Sequence, residues 1–100
     1  MKIKDGVIMA GLKLPMRLAL KVANEVYKEN GQELVITSGL DGTHSAGSYH
    51  YFGYALDLRT RYFVHHIALK VAKEIQERLG SKYTVIFEGN HIHIQYNADK

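Results

Sequence analysis

Cysteine is absent from this 100-residue chain, and no long apolar run occurs in it. Without cysteine there is neither a disulfide framework nor a thiolate metal site, so a transition-metal site must use imidazole and carboxylate ligands. No apolar run approaches the roughly 18 residues of a membrane span. The first eleven residues, which include Asp5, have too short an apolar core for a secretory signal. We therefore expect synthesis in the cytoplasm without a signal peptide, and no membrane insertion.

A concentrated basic surface is also missing. The 13 lysines and arginines exceed the 10 acidic residues only slightly, and they are scattered over the polar faces of two predicted helices. A nucleic-acid site would need a basic stripe with interleaved aromatic residues, so we expect no nucleic-acid partner. The ordinary hydrophobic fraction of 46% excludes general disorder. The length then suits a single domain spanning residues 1–100.

Two amphipathic stretches predict helices over residues 14–31 and 61–79. The first has Pro15 in its first turn. Its predicted apolar stripe consists of Leu14, Leu18, Val22 and Val26, with Ala19, Ala23 and Tyr27 beside them. The second is predicted to be capped by Thr60, with Val64 at the start of its stripe. Short β-branched segments predict the strands, which are an N-terminal one and residues 33–38, 54–59, 82–88 and 91–96. This order predicts an α+β fold with two helices packed on one face of a largely antiparallel sheet.

Histidine and aspartate fall on one face of two predicted strands. Side chains alternate in the last strand, "HIHIQY", so His91 and His93 face away from the helix-packed side. The same alternation turns Asp57 outward. If the two strands are neighbours, the three side chains meet on the outer face, and the glycine-rich loop before Asp57 returns His50 to the same end. We therefore expect a metal site on the face of the sheet opposite the helices.

Histidine and carboxylate ligands in this number favour zinc, although other divalent ions accept them too. Three protein ligands that leave one position for water are typical of a catalytic zinc site. Such a site lowers the pKa of its water to about 7 and supports hydrolysis at neutral pH. Glu88, just before the last strand, is a candidate for the carboxylate that takes the proton.

Each of these residues also has a purely structural explanation. His50 alone would more often be a polar loop residue, and the two strand histidines fit a solvated sheet face. Asp57 calls for an explanation more than the others, because aspartate is disfavoured in strands. His65 and His66 on the second helix are expected to be surface residues without a role.

The segment "HSAGSYHYFGYALD" at 44–57, followed by Glu88 and the last strand, resembles the zinc D-alanyl-D-alanine carboxypeptidases and the related hedgehog signalling domain. The loop motif S-x-H-x-x-G-x-A-x-D of small phage and bacterial members is met without a gap from Ser48 to Asp57. "VITSG" at 35–39 matches the strand that precedes it. The resemblance covers roughly residues 33–60 and 85–96, and its several spaced elements are more specific than any single histidine.

The resemblance implies particular roles for these residues. It implies His50, Asp57 and His93 as zinc ligands and Glu88 as the base. The spacing of the glutamate leaves open whether His91 or His93 ligates, and the "H-I-Q" context favours His93.

Other positions match residues that surround the metal in this family. His44 and His91 match histidines that flank it and can stabilise developing charge, and Ser48 matches a serine that fixes the loop. The arginine that many carboxypeptidases carry after the "TSG" strand is missing here. Arg59, on the same strand face as Asp57, could replace it, and Tyr49 could help to wall the substrate cleft.

The resemblance therefore implies a zinc metallopeptidase that cuts cell-wall peptides, of D-alanyl-D-alanine carboxypeptidase or endolysin type. Peptidoglycan is the expected partner, reached after release from the cytoplasm. One alternative is a non-catalytic, zinc-stabilised, hedgehog-like binding module, against which the presence of Glu88 counts. Another is a plain α+β domain whose histidines bind nothing. The bond that is cut, the export route and the oligomeric state stay open.

Overall fold

Helices and strands alternate along the chain much as the sequence predicts. The structure, a computed structural model, describes residues 1–7, 9–39 and 54–97. Their elements, in chain order, are β1 (Lys2–Ile3), α1 (Leu14–Glu29), β2 (Val35–Ser38), β3 (Ala55–Arg59), α2 (His65–Leu79), β4 (Tyr83–Phe87) and β5 (His91–Tyr96). The predicted α+β class is confirmed.

The strands form one five-stranded sheet in the order β1-β2-β3-β5-β4. The short β1 pairs in parallel with β2, and the other three pairings are antiparallel. The prediction of a largely antiparallel sheet is therefore confirmed. A tight turn at Gly89 joins β4 to β5, and its φ of +91° is a value that glycine adopts without strain. This hairpin brings β5 beside β3 in the interior of the sheet.

Both helices pack on the sheet through a single hydrophobic core. Alternate residues of β3 and β5 point into it, so the intervening residues of these strands point to the other face. The buried members from the two helices and the three inner strands are Met16, Ala19, Ala23, Val26, Tyr27, Ile36, Leu56, Leu58, Val71, Ala72, Ile75, Ile92 and Ile94. Neither of the two described helices is long and apolar enough to cross a bilayer.

The apolar stripe of α1 differs from the predicted one at its start, whereas Ala19, Ala23, Val26 and Tyr27 are buried as predicted. Leu14 and Leu18 are 66% and 55% exposed, whereas Met16, Ala19 and Ala23 are fully buried. The buried set also recurs at intervals of three and four residues, so the periodicity fits either stripe. The small alanines allow the helix backbone to approach the core closely, and the larger leucines remain outside.

The start of α2 is also later than predicted. The helix begins at His65, with Val64 as its N-cap residue and no side-chain cap. Thr60 does not cap it, because Thr60 is buried and its carbonyl accepts a hydrogen bond from the Phe63 N–H in a separate turn. Val64 is 60% exposed and lies outside the core.

The side chain of Gln76 joins α2 to the edge strand β4. Its Nε2 donates to the carbonyls of Gly80, at 3.0 Å, and Tyr83, at 2.8 Å. Its Oε1 accepts from the Val85 N–H at 2.9 Å. Backbone groups at a sheet edge are otherwise open to pairing with another strand, so this amide satisfies part of that edge.

Candidate metal centre

The register between β3 and β5 builds the centre. Asp57 lies directly opposite His93, and Arg59 lies opposite His91. Their side chains share the face of the sheet that does not pack on the helices. His93 Nδ1 lies 3.0 Å from Asp57 Oδ1, and each side chain is only 17% exposed. The two strands are therefore neighbours, and they bring Asp57 together with both histidines.

Glu88 joins these residues from the β4–β5 turn. His91 Nε2 lies 3.3 Å from Glu88 Oε1 and 3.8 Å from Asp57 Oδ1. One potential ligand atom from each of Asp57, Glu88 and His91 lies within 4.8 Å of the other two. The described residues thus include a group that could hold a metal ion.

The separations of these atoms can be compared with those around zinc. A tetrahedral zinc ion with bonds of about 2.0–2.1 Å keeps its ligand atoms roughly 3.3 Å apart. The Asp57–His93 pair at 3.0 Å and the Glu88–His91 pair at 3.3 Å are close to that separation. The donor types and these separations therefore fit a small divalent cation, and Asp57 lies within reach of both histidines.

A chain of side-chain amides holds the other nitrogen of His93. Asn97 Nδ2 donates to Thr84 Oγ1 at 2.8 Å, and Gln95 Nε2 donates to Asn97 Oδ1 at 2.9 Å. Gln95 Oε1 is then left to accept from His93 Nε2 at 2.8 Å. With its proton on Nε2, a neutral ring presents the lone pair of Nδ1 toward Asp57, which is the orientation that metal ligation requires.

No role was predicted for Gln95 or Asn97 from the sequence. Strand alternation already put Gln95 on the face of His91 and His93, and that signal could have identified it. Asn97 follows the last strand and is buried, and nothing in its sequence context marks it.

The pKa of His93 reflects the same contacts. Burial lowers this pKa, but hydrogen bonds to Asp57 and Gln95, and the attraction of the Asp57 and Glu88 carboxylates, outweigh that effect. The pKa therefore lies above its ordinary value of 6.5. A metal ion that binds Nδ1 must displace a proton, so metal binding and protonation compete at this residue.

The remaining predicted site residues differ in where they lie. Arg59 lines a cleft of about 470 Å³ together with Asp57 and His91. His65 and His66 are exposed on α2, as predicted. Four predicted residues lie outside the described part of the chain, and their roles stay predictions: His44, Ser48, Tyr49 and His50.

Comparisons of the chain with protein-family models, with curated proteins and with solved structures gave no match. The resemblance to zinc carboxypeptidases and hedgehog domains is therefore carried by the motif residues alone.

Proposed function

We propose that this protein is a zinc peptidase that hydrolyses cell-wall peptides. His50, Asp57 and His93 are the zinc ligands, Glu88 is the base, and His91 flanks the reacting groups. The pairing of Asp57 with His93, 3.0 Å apart on the outer face of the sheet, carries the proposal. The cell-wall substrate rests on the loop motif that ends at Asp57.

The surroundings of Glu88 support its role. When bound, zinc supplies the Lewis acidity that peptide hydrolysis needs at neutral pH. The Glu88 side chain is 47% exposed, so water and substrate can reach it. Its carboxylate accepts a proton from the attacking water and passes it to the leaving amine nitrogen. His91, whose Nε2 lies 3.3 Å from the Glu88 carboxylate, orients that carboxylate.

A second function follows from the close approach of Asp57, Glu88 and His91, whose ligand atoms lie within 4.8 Å of one another. If Glu88 is itself a ligand, the described residues of the centre leave no other carboxylate to take the proton. Zinc would then stabilise a binding module of the hedgehog-like kind without turnover.

Zinc content and hydrolysis, measured on the same variants of the untagged protein, separate these functions. Hydrolysis is followed as D-alanine release and as cleavage of purified peptidoglycan. We expect Glu88→Gln to keep stoichiometric zinc and to lose roughly 10²-fold or more in rate. We expect His93→Ala to lose zinc. His66 is an exposed histidine on α2, and the matched control His66→Ala should keep both zinc and hydrolysis.

Three results would decide against the peptidase. Loss of zinc in Glu88→Gln would make Glu88 a ligand and favour the binding module. Zinc binding without hydrolysis in the wild type would do the same. A wild type that binds no zinc would leave the plain-domain alternative.

A further inference from the structure

Three cationic side chains line the cleft beside the metal centre. Lys4 follows β1, Arg59 ends β3 and Arg61 lies in the turn after β3. Asp57 and His91 line the same cleft. Its volume of about 470 Å³ is within the range of small-ligand sites.

The described lining of this cleft carries more positive than negative charge, with three cationic side chains and one carboxylate. In the part of the chain that the structure describes, Lys4, Arg59 and Arg61 form no ion pair, whereas Lys2 and Arg78 pair with Glu33 and Glu29. Asp57, the acidic residue of the lining, already contacts His93. Three like charges in a concave surface raise the local positive potential and attract an anion.

The backbone that carries these cations is anchored. The Lys4 N–H donates to the Ile36 carbonyl at 3.0 Å, which continues the pairing of β1 with β2. The hydroxyl of the buried Tyr27 donates to the Arg59 carbonyl at 2.8 Å. Burial raises the pKa of Tyr27, so this hydroxyl keeps its proton and remains a donor. The backbone at Lys4 and Arg59 is therefore already held in place before a ligand binds.

The Tyr27 ring also supports the turn that carries Arg61. It contacts the Phe63 ring edge to face, with the centroids 5.1 Å apart. The Arg61 guanidinium lies 5.2 Å from the centroid of the Tyr62 ring. A guanidinium stacked on a ring keeps its N–H groups available for a ligand.

We propose that this cleft is a carboxylate-binding subsite, in which Arg59 and Arg61 receive the anion and Lys4 adds charge. A guanidinium fork matches a carboxylate with two parallel hydrogen bonds. Because Asp57 and His91 line the same cleft, the bound carboxylate lies beside the metal centre. The site then selects peptides with a carboxylate close to the scissile bond. This substrate class rests on the proposed peptidase, whereas the anion binding does not.

The carboxylate can come from the C-terminus of a peptide or from a side chain within it, and the two sources imply different cleavage. Recognition of the C-terminus favours removal of a terminal residue. Recognition of an internal carboxylate favours cleavage within the peptide.

Calorimetric binding of stem peptides to Glu88→Gln tests the subsite without turnover. The reference probe is N-acetyl-L-alanyl-γ-D-glutamyl-L-lysyl-D-alanyl-D-alanine. A second probe carries a C-terminal amide, and a third has the glutamyl α-carboxylate amidated. We expect the reference peptide and one amide to bind alike, and the other amide to bind at least about tenfold more weakly. The weaker one identifies the source of the carboxylate.

The same measurements on charge variants in the Glu88→Gln background locate the binding. Arg59→Gln and Arg61→Gln should each weaken the reference peptide about tenfold, but should barely affect the amide that has lost the recognised carboxylate. Lys70→Gln removes the same charge from the exposed face of α2 and should change nothing. A variant that merely disturbed the fold would weaken all three probes equally.

Equal affinity for all three peptides, or equal effects of Arg59→Gln and Lys70→Gln, would overturn the subsite. Failure of the two proposals can be told apart. If the protein binds the peptides in a carboxylate-dependent way but has neither zinc nor hydrolytic activity, the subsite proposal stands and the peptidase proposal is wrong. If the protein hydrolyses all three peptides equally well, the peptidase proposal stands and the subsite proposal is wrong.

Discussion

Gln95 shows how a single residue prepares the centre. Its carbonyl oxygen accepts from His93 Nε2, and its own amide is held by Asn97. Partners that hold the second nitrogen of a ligating histidine typically change metal affinity by 10–100-fold when they are removed. A substitution at Gln95 can therefore change the orientation of the His93 ring while His93 itself stays in place.

Replacement of Gln95 tests this separation. We expect Gln95→Leu to weaken zinc binding about 10–100-fold, because the ring loses the acceptor that fixes it. Gln95→Glu keeps an acceptor at the same distance along the side chain and should bind zinc nearly as the wild type does. Competition titration against a chromophoric chelator measures both affinities. Zinc binding by Gln95→Leu that equals the wild type would mean that the amide chain does not orient His93.

Among the elements, β4 and α2 depend on one another through Gln76. The amide makes three hydrogen bonds that connect the helix with the edge strand and with the end of the helix itself. Leucine at this position keeps a side chain of similar size but leaves the partly buried Val85 N–H without its acceptor.

We expect Gln76→Leu to lower the free energy of unfolding by about 1–3 kcal/mol, which is the usual cost of leaving such groups unpaired. Urea unfolding measures the change. Glu77→Gln, at the exposed neighbouring position, serves as a control and should stay within about 0.5 kcal/mol of the wild type. A Gln76→Leu protein as stable as this control would show that water replaces the amide without loss.

The sequence predicted some elements better than others for physical reasons. In β3 and β5 apolar side chains occupy every second position, so only one face of each strand can be buried. Asp57, His91 and His93 could therefore be assigned to the outer face correctly. In α1 two stripes share the spacing of three and four, and only tertiary packing decides that Met16 rather than Leu14 is buried. The predicted start of α2 is wrong because Thr60, although its side chain is of a type that caps helices, belongs to the turn that precedes the helix.

At the scale of the whole molecule, His93 links folding to pH. In the metal-free protein its pKa is raised above 6.5. A group with a higher pKa in the folded than in the unfolded state contributes stability that is fully present below the unfolded pKa. That contribution is lost as the pH rises through the folded pKa.

We therefore expect the free energy of unfolding of chelator-treated protein to fall as the pH rises from about 6.5 through the raised pKa of His93. Zinc should reverse this slope, because loss of the competing proton strengthens its binding and thereby stabilises the folded state. Urea unfolding at several pH values, with chelator and with zinc, measures both slopes.

His93→Gln should flatten the metal-free slope, and His66→Gln should leave it unchanged. Parallel pH curves with chelator and with zinc would contradict the proposed competition between the proton and the metal at His93.

The sheet as a whole could be predicted only in part. The last two strands are joined by a short turn, so their antiparallel pairing follows from local sequence. The pairing of β3 with β5 joins residues 36 positions apart, and the parallel β1–β2 pair encloses the whole of α1. Such contacts depend on how the helices fill the core, which periodicity along one segment does not encode.

The pairing of β3 with β5 also protects the centre against misassembly. A slip of one residue would turn His91 and His93 into the core and send Ile92 and Ile94 into water. Each isoleucine loses about 1.5–3 kcal/mol by such exposure, and the buried imidazoles add a further penalty. That sum rivals the roughly 5–15 kcal/mol by which domains resist unfolding. Misaligned copies of the sheet should therefore unfold rather than persist as intact molecules that cannot bind metal.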